Sequence, residues 1–150
     1  MKITLGLAVL SLFAAPSFAA PRAAVEYLGK PVEGRPFSTA VRAGDMLYLS
    51  GQLGLGADGK LPVEFEPQAR QMMDNIGGVL KSAGLGWGDV VHCTVMLSDM
   101  ANWPAFNKIY AVYFAGHRFP ARSAFGANGL ALGAKVELEC QAYAGAKSIK

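Results

Sequence analysis

The sequence predicts an α+β fold, α/β-like in its order of elements: a single domain with one mixed sheet and two helices packed on one face. Its 150 residues fit one domain, with little room for a second. Hydrophobic residues make up 52% and charged residues 17%, a composition too apolar for a disordered chain. Segments with strand character precede, separate and follow two segments with helical periodicity. That order is typical of helices covering one side of a sheet.

The first 19 residues resemble a secretory signal peptide. Residues 3–15 are uncharged and apolar, and Ser17 and Ala19 are the small residues that a signal peptidase reads, so we expect cleavage between Ala19 and Ala20. The alternative is a membrane anchor, but the apolar run is shorter than the about 20 residues that a spanning helix needs. The sequence therefore predicts a periplasmic or secreted protein without a stable membrane anchor after cleavage.

The N-terminal part of the mature chain is predicted to be extended. Residues 20–33 form a lead-in rich in Pro and Gly, with one short strand near residues 25–28. Residues 40–55 follow, with a turn at Gly44-Asp45 and strand character over residues 46–50.

Two amphipathic segments are the predicted helices. The first covers residues 67–83, and Gly84 supplies a C-terminal cap. The second covers residues 103–114, with Pro104 in its first turn, where proline is tolerated. The first helix presents an apolar stripe made of Ala69, Met72, Met73, Ile76, Val79, Leu80 and Ala83. The second presents an aromatic side made of Trp103, Phe106, Tyr110, Tyr113 and Phe114.

Three strands complete the predicted sheet, over residues 90–97, 123–127 and 135–143. In the first, Val91, Cys93, Val95 and Leu97 share one face. In the last, Val136, Leu138, Cys140 and Ala142 point to the core. Both cysteines therefore lie on apolar faces, and either two buried thiols or a disulfide fits this pattern. The other face of the sheet is polar, so we expect it to contact water or another subunit.

Several classes of site are disfavoured. The formal charge is only +3 and the basic residues are scattered, so no nucleic-acid partner is expected. The glycine-rich residues 54–60 do not form a phosphate loop, because Lys60 is followed by Leu61-Pro62. Neither His92 nor His117 has a partner at metal-ligand spacing, so no metal is expected.

Arg122 and Glu137 are the candidate catalytic pair. Arg122 follows Pro120-Ala121 where a loop becomes a strand, and can present its guanidinium fork to a carboxylate. Glu137 lies on the polar face of the last strand, so neighbouring strands would let both groups face one pocket. The alternative is a structural salt bridge between them.

A set of short motifs along the chain has the order and residues of a known family pattern. They are residues 49–52 (LSGQ), residues 68–80, Asn107 with Tyr110 and Phe114, residues 119–123 (FPARS) and residues 130–139 (LALGAKVELE). Together they resemble the RidA family, also called the YjgF or L-PSP endoribonuclease family. The resemblance implies a chorismate-mutase-like domain over residues 34–150 and a homotrimer with ligand clefts between its subunits. It also implies cofactor-free deamination of 2-imino and 2-enamino acids, without a metal.

The resemblance also implies roles for single residues. Arg122 would bind the substrate carboxylate, Glu137 would position or activate water, and Ser50 would hydrogen-bond the substrate or a backbone neighbour. The implied substrate-binding set is Ser50, Gly51, Phe37, Asn107, Ser123 and Ala124. Three residues depart from the family pattern: Phe37 replaces a common tyrosine, Ala124 a common cysteine, and Ala131 a proline.

Three functions are compatible with these residues. The first is an imine deaminase similar to 2-iminobutanoate/2-iminopropanoate deaminases, using Arg122 and Glu137. The second is a non-catalytic periplasmic protein that binds small carboxylates, the 2-imino or 2-keto acids, in the same clefts. The third is an endoribonuclease or a chaperone-like protein, which the modest positive charge disfavours for the nuclease.

Overall fold

The computed structural model describes residues 24–145, so the predicted signal peptide lies outside the described residues. Within that range, neither α-helix is long and apolar enough to cross a bilayer. The elements in chain order are β1 (Val25–Leu28), β2 (Ala40–Ala43), β3 (Met46–Leu49), β4 (Gln52–Leu53), α1 (Phe65–Ser82), β5 (Val90–Leu97), α2 (Trp103–Tyr113), β6 (Ala121–Gly126) and β7 (Val136–Tyr143).

One mixed sheet has the strand order β1-β2-β3-β7-β5-β6, and β4 extends the edge that β3 forms with β7. All described pairings are antiparallel except that between β5 and β6, which α2 connects as the crossover helix. The buried faces of β5 and β7 pack beneath α1 and α2, and their other faces remain partly exposed. The predicted fold class is confirmed: a single domain with one mixed sheet and two helices.

Helix α1 begins two residues before the predicted start, at Phe65. Pro67 lies in its first turn, where a backbone N–H has no partner within the helix, so the ring costs little there. The helix ends at Ser82, one residue before the predicted end, and Gly84, whose φ is 74°, supplies the predicted C-terminal cap. The Leu85 N–H donates to the Leu80 carbonyl at 2.9 Å, a Schellman arrangement that satisfies a carbonyl of the last turn.

The aromatic side of α2 is confirmed as core. Phe106 and Tyr110 are buried, and Phe114 just beyond the helix is also buried. Tyr110 packs on Phe114 with ring centroids 4.6 Å apart and on Phe106 at 5.5 Å. This aromatic layer attaches α2 to β5 and, as described below, supports a side chain of β6.

The face assignment of β5 is correct for Cys93, Val95 and Leu97 and wrong for Val91. Val91 is 43% exposed, whereas Val90 is 6% exposed and occupies the core position. The register with β7 shifts between Val90 and His92. A bulge of this kind adds one residue to a strand and inverts the side-chain alternation beyond it.

Cys93 and Cys140 form a disulfide between β5 and β7. The two residues are direct partners in the antiparallel ladder, with their Cα atoms 4.1 Å apart, and both are buried. The disulfide, one of the two alternatives left open by the sequence, is therefore the one that forms. Cys93 is also the register partner of Arg122 on β6, so the disulfide and Arg122 lie in one row across the sheet.

Candidate functional site

The Arg122 half-site consists of Arg122 and the α2 residues that contact it. Because Arg122 pairs in register with Cys93, its side chain is on the helix-covered side of the sheet. Its guanidinium carbon lies 4.6 Å from the ring centroid of Trp103 and 4.5 Å from that of Tyr110. Its Nη2 donates a 2.7 Å hydrogen bond to Oδ1 of Asn107. Stacking and this hydrogen bond together fix the plane of the guanidinium.

The guanidinium borders a cavity of about 370 Å³, lined by Asn107, Tyr110, Ala111, Phe119, Pro120 and Arg122. Among residues 24–145, Arg122 has no carboxylate partner, so the alternative of a structural salt bridge is wrong for the described chain. Most of its five N–H donors are left for a ligand. A single fixed cation in a mostly apolar cavity is suited to a small anion.

Tyr110 contributes its ring and not its hydroxyl. Its Oη is buried and has no hydrogen-bond partner among residues 24–145. Burial raises the pKa of Tyr110 to about 12, against the opposing effect of the Arg122 charge. The hydroxyl is therefore protonated at neutral pH, and the face of the ring remains a neutral platform for the cation.

The Glu137 half-site consists of Glu137 and its surroundings on the uncovered face of the sheet. It borders a cavity of about 450 Å³ lined by Phe37, Val41, Tyr48, Leu49, Ser50, Gly51, Glu137 and Glu139. Burial, and secondly the charge of Glu139, raise the pKa of Glu137 above its usual 4.5. A carboxylate with a raised pKa accepts protons more readily than an ordinary one, which suits a general base.

Gly51 makes room for this carboxylate. A Cβ built on Gly51 would collide with Oε1 of Glu137, so the carboxylate lies directly against the backbone at this glycine. Any other residue at position 51 would displace the carboxylate. Gly51, which the family resemblance placed among the substrate-binding residues, therefore lies against the candidate base.

Ser50 holds the backbone around this half-site. Its hydroxyl donates a 2.6 Å hydrogen bond to the Ser38 carbonyl, and its N–H donates to the Thr39 carbonyl at 3.1 Å. These bonds tie the end of β3 to the segment that carries Phe37, whose side chain is 56% exposed. Of the two roles expected for Ser50, the structure contains the hydrogen bond to a backbone neighbour.

The two half-sites lie on opposite faces of one protomer's sheet, and β5 separates their strands. Arg122 pairs with Cys93, which pairs with Cys140, and Glu137 is three residues from Cys140. An odd separation along a strand reverses the face. The expectation that both side chains could face one pocket is therefore wrong within a protomer.

The remaining predicted residues divide between these two faces. Asn107 contacts Arg122, and Ala124 shares its face, since Ala124 pairs with Val95. Ser123 faces the other way and is exposed. Trp103 and Tyr110 were not predicted to contact Arg122. Their i and i+7 spacing, with Asn107 at i+4, places all three on one helix side, which was the signal available in the sequence.

Residues 24–145 contain no group of three or more His, Cys, Asp or Glu side chains that could hold a metal ion. The sequence model of the Endoribonuclease L-PSP family matches residues 29–144. The chain belongs to this family. Its RidA/YjgF membership agrees with the motifs quoted above and extends over nearly all described residues.

Named relatives of this RidA-family chain are similar over most of the domain. The Reactive Intermediate Deaminase A of Arabidopsis thaliana chloroplasts is 42% identical over 107 residues, covering 70% of this chain and 57% of that protein. The 2-iminobutanoate/2-iminopropanoate deaminase of Mus musculus is 40% identical over 112 residues, covering 73% and 82%. The crystal structure of the Rid-family protein YyfA from Yersinia pestis superposes with a TM-score of 0.76 at 35% identity, covering 80% and 99%.

Proposed function

We propose that this protein hydrolyses 2-imino and 2-enamino acids to 2-keto acids and ammonia, in clefts formed between the subunits of a homotrimer. The observation that carries the proposal is the separation of a fixed cation and a proton-accepting carboxylate onto opposite faces of one sheet. Contact between the uncovered face of one subunit and the β6 edge of the next would bring the two half-sites together. The deaminases from Arabidopsis and mouse support the reaction class.

Arg122 would bind the carboxylate of the imino acid. Its guanidinium is already held by Trp103, Tyr110 and Asn107, so little conformational entropy is lost when the anion binds. A bidentate pair also orients the carboxylate, because both guanidinium N–H groups must align with both oxygens. The adjacent imine carbon is thereby directed toward the Glu137 half-site of the neighbouring subunit.

Glu137 would then act on water. Its carboxylate accepts a proton as the water oxygen forms a bond to the imine carbon, and it passes this proton to the nitrogen as the C=N bond becomes single. In the tetrahedral intermediate the carboxylate takes the hydroxyl proton and transfers it to the amino nitrogen, so the C–N bond breaks and ammonia leaves as the keto C=O forms. Water is the only co-reactant, so no electrons are gained or lost. General acid–base assistance of this kind is worth about 10²–10⁴-fold.

The second candidate is a periplasmic protein that binds small carboxylates without turnover. It would use the same Arg122 half-site, and it needs nothing from Glu137. The raised pKa of Glu137 and its position against Gly51 favour the deaminase. Location in the periplasm or outside the cell is part of either proposal and depends on residues 1–19. The family name suggests an endoribonuclease or a chaperone-like role, but no feature of the two half-sites supports either one.

The direct test measures keto-acid release from 2-iminopropanoate, produced in situ from alanine by an amino-acid oxidase. We expect the mature protein to accelerate release. Arg122→Ala should raise KM strongly, and Glu137→Gln should lower kcat by about 10²–10⁴-fold. Absence of acceleration by folded, oligomeric parent protein would overturn deamination of this substrate. Carboxylate binding that is retained by Glu137→Gln and lost in Arg122→Ala would then support the binding protein.

Mixed oligomers test the proposed cleft. Arg122→Ala and Glu137→Gln subunits, carrying different tags, are co-expressed, and oligomers with both tags are isolated. If each cleft takes Arg122 from one subunit and Glu137 from the next, some clefts in the mixture are intact and activity returns. The control is an oligomer that carries both tags but contains only one of the two variants. Failure of the mixture to exceed that control contradicts a shared cleft.

A further inference from the structure

A second cation, Arg35, contacts Phe37, a residue that lines the cavity of Glu137. It lies between β1 and β2, two residues before Phe37, and its guanidinium carbon is 5.4 Å from the Phe37 ring centroid. Its N–H donates to the Val32 carbonyl at 3.0 Å, which holds the backbone in a turn. No carboxylate in the described part of the chain pairs with Arg35. Its side chain is therefore supported by a ring on one side and free to bind an anion.

Arg35 is the only charged residue among those lining a further cavity of about 370 Å³. This cavity shares Phe37 and Gly51 with the cavity of Glu137, so the two cavities lie side by side at that glycine. Leu53, Leu55 and Leu132 contribute apolar walls. One water molecule occupies roughly 30 Å³ in the liquid. A cavity of about 370 Å³ can therefore hold a side chain much larger than a methyl group.

The Asn75 amide, one of two side-chain amides that line this cavity, already has hydrogen-bond partners. Nδ2 of Asn75 donates to the carbonyls of Leu53 and Leu55 at 2.8 and 3.0 Å, and its Oδ1 accepts from Gln71. Asn75 thus fixes the wall and has little capacity left for a ligand. Arg35 is the one charged group of this lining and has unused donors, so the cavity combines apolar walls with a cation that can bind an anion.

We propose that the cavity accepts the side chain of the substrate and that the substrate is a 2-imino dicarboxylic acid. The inference rests on the proposed deaminase function. With the imine carbon beside Glu137, the side chain would enter past Gly51, its methylene groups would contact the leucines, and its terminal carboxylate would bind Arg35. The neighbouring subunit's Arg122 half-site would take the other carboxylate. Two cations thereby offset the repulsion that Glu137 and Glu139 exert on a dianion.

The experiment compares two substrates in one assay. Iminosuccinate is generated from D-aspartate and 2-iminopropanoate from D-alanine, each by the matching oxidase, and the loss of semicarbazide-trapped imine reports hydrolysis. We expect the parent to have the higher kcat/KM for iminosuccinate. Arg35→Gln should lower that value by about 10–100-fold, the worth of a charged hydrogen bond, and change the 2-iminopropanoate value by less than about 3-fold.

Lys30→Gln is the matched control. It removes the same charge from the same segment, and Lys30 lines a neighbouring cavity with Arg35 without lining this one. Equal losses in both variants would show general attraction of anions and overturn the inference. Hydrolysis of 2-iminopropanoate without preference for iminosuccinate would also overturn it and leave the proposed function intact. Hydrolysis of neither substrate by the parent would overturn the proposed function itself.

Discussion

The Arg122 half-site and the Glu137 half-site differ in how they are built. Arg122 rests on aromatic side chains of the core, and Phe106 and Tyr110 beneath it are 0% and 3% exposed. Around Glu137 the aromatic neighbours are at the surface, with Phe37 56% and Tyr48 45% exposed. The chain therefore encloses Arg122 with its own buried rings, whereas the rings around Glu137 stay exposed. This difference supports the proposal of a cleft that a second subunit completes.

The largest expected effect is that of Gly51→Ala on the Glu137 half-site. The new methyl group displaces the Glu137 carboxylate, which is the end of a flexible side chain, so the fold should tolerate the change. We expect kcat for 2-iminopropanoate to fall by about 10²–10⁴-fold with the melting temperature nearly unchanged. Gly78→Ala, on an exposed part of α1 with open space around it, is the control and should leave kcat unchanged. A normal kcat in Gly51→Ala would argue against Glu137 as the base.

The disulfide is expected to matter for stability more than for chemistry. Cys93 and Cys140 are 47 residues apart, and closing a loop of this length stabilises by about 4 kcal/mol in the chain-entropy description. The double variant Cys93→Ala/Cys140→Ala should lose about that much free energy of unfolding in a urea titration. Because Trp103 and Tyr110 still hold Arg122, KM of the folded variant should stay near the parent value. A loss below about 1 kcal/mol would indicate that the two sulfurs are not bonded in solution.

Trp103→Leu weakens the Arg122 half-site alone. Loss of the cation–π contact, worth about 0.5–2 kcal/mol, should raise KM by about 2–30-fold and leave kcat nearly constant. Trp87→Leu is matched in chemistry, since Trp87 packs on Tyr113 and Phe114 and not on Arg122. It should cost stability and leave KM unchanged. Equal KM in the parent and in Trp103→Leu would mean that Tyr110 and Asn107 suffice to position the guanidinium.

The smallest expected effect is a shift in the pH profile. Turnover should fall as the pH drops through the pKa of Glu137, because only the carboxylate accepts a proton. Glu139→Gln removes one of the two causes that raise this pKa, so the acidic limb should move to lower pH. Burial, the larger cause, remains, so the pKa stays above its usual 4.5. Glu66→Gln, on the first turn of α1, should leave the limb in place.

Local patterns in the sequence predicted most of the fold. The core face of β7 was correct at each residue, and the stripe on α1 was correct except for Ala83, which lies just past the helix and is partly buried. Each of these patterns reports on a single element. The bulge in β5 was missed, since nothing in Val90-Val91-His92 distinguishes an inserted residue from a regular one. The signal peptide prediction lies outside the described residues and stays a prediction.

The sequence predicted which residues belong to the candidate site, but it did not predict how they are placed relative to one another. Arg122 is on β6 and Glu137 is on β7, with β5 between them. Whether the two side chains share a face of the sheet depends on this strand order and on the registers of β5 with β6 and with β7. Those are long-range properties that no local pattern encodes. Likewise the cavity of Arg35 arises from a turn, a strand and a loop that are distant in the chain. Single-residue chemistry was therefore predictable, and the pairing of groups was not.

The position of β7 has a consequence for how the chain is made. It is the last strand of the described chain, yet it lies between β3 and β5 and contacts β4 as well. A chain that lacks β7 can therefore form only two incomplete sheet fragments, β1-β2-β3 and β5-β6, whose inner edges stay unpaired until the last strand is added. Such open edges can pair with other chains. Nascent fragments that end before Val136 should be recognised by chaperones and proteases as unfinished, and insertion of one strand converts them into the native sheet.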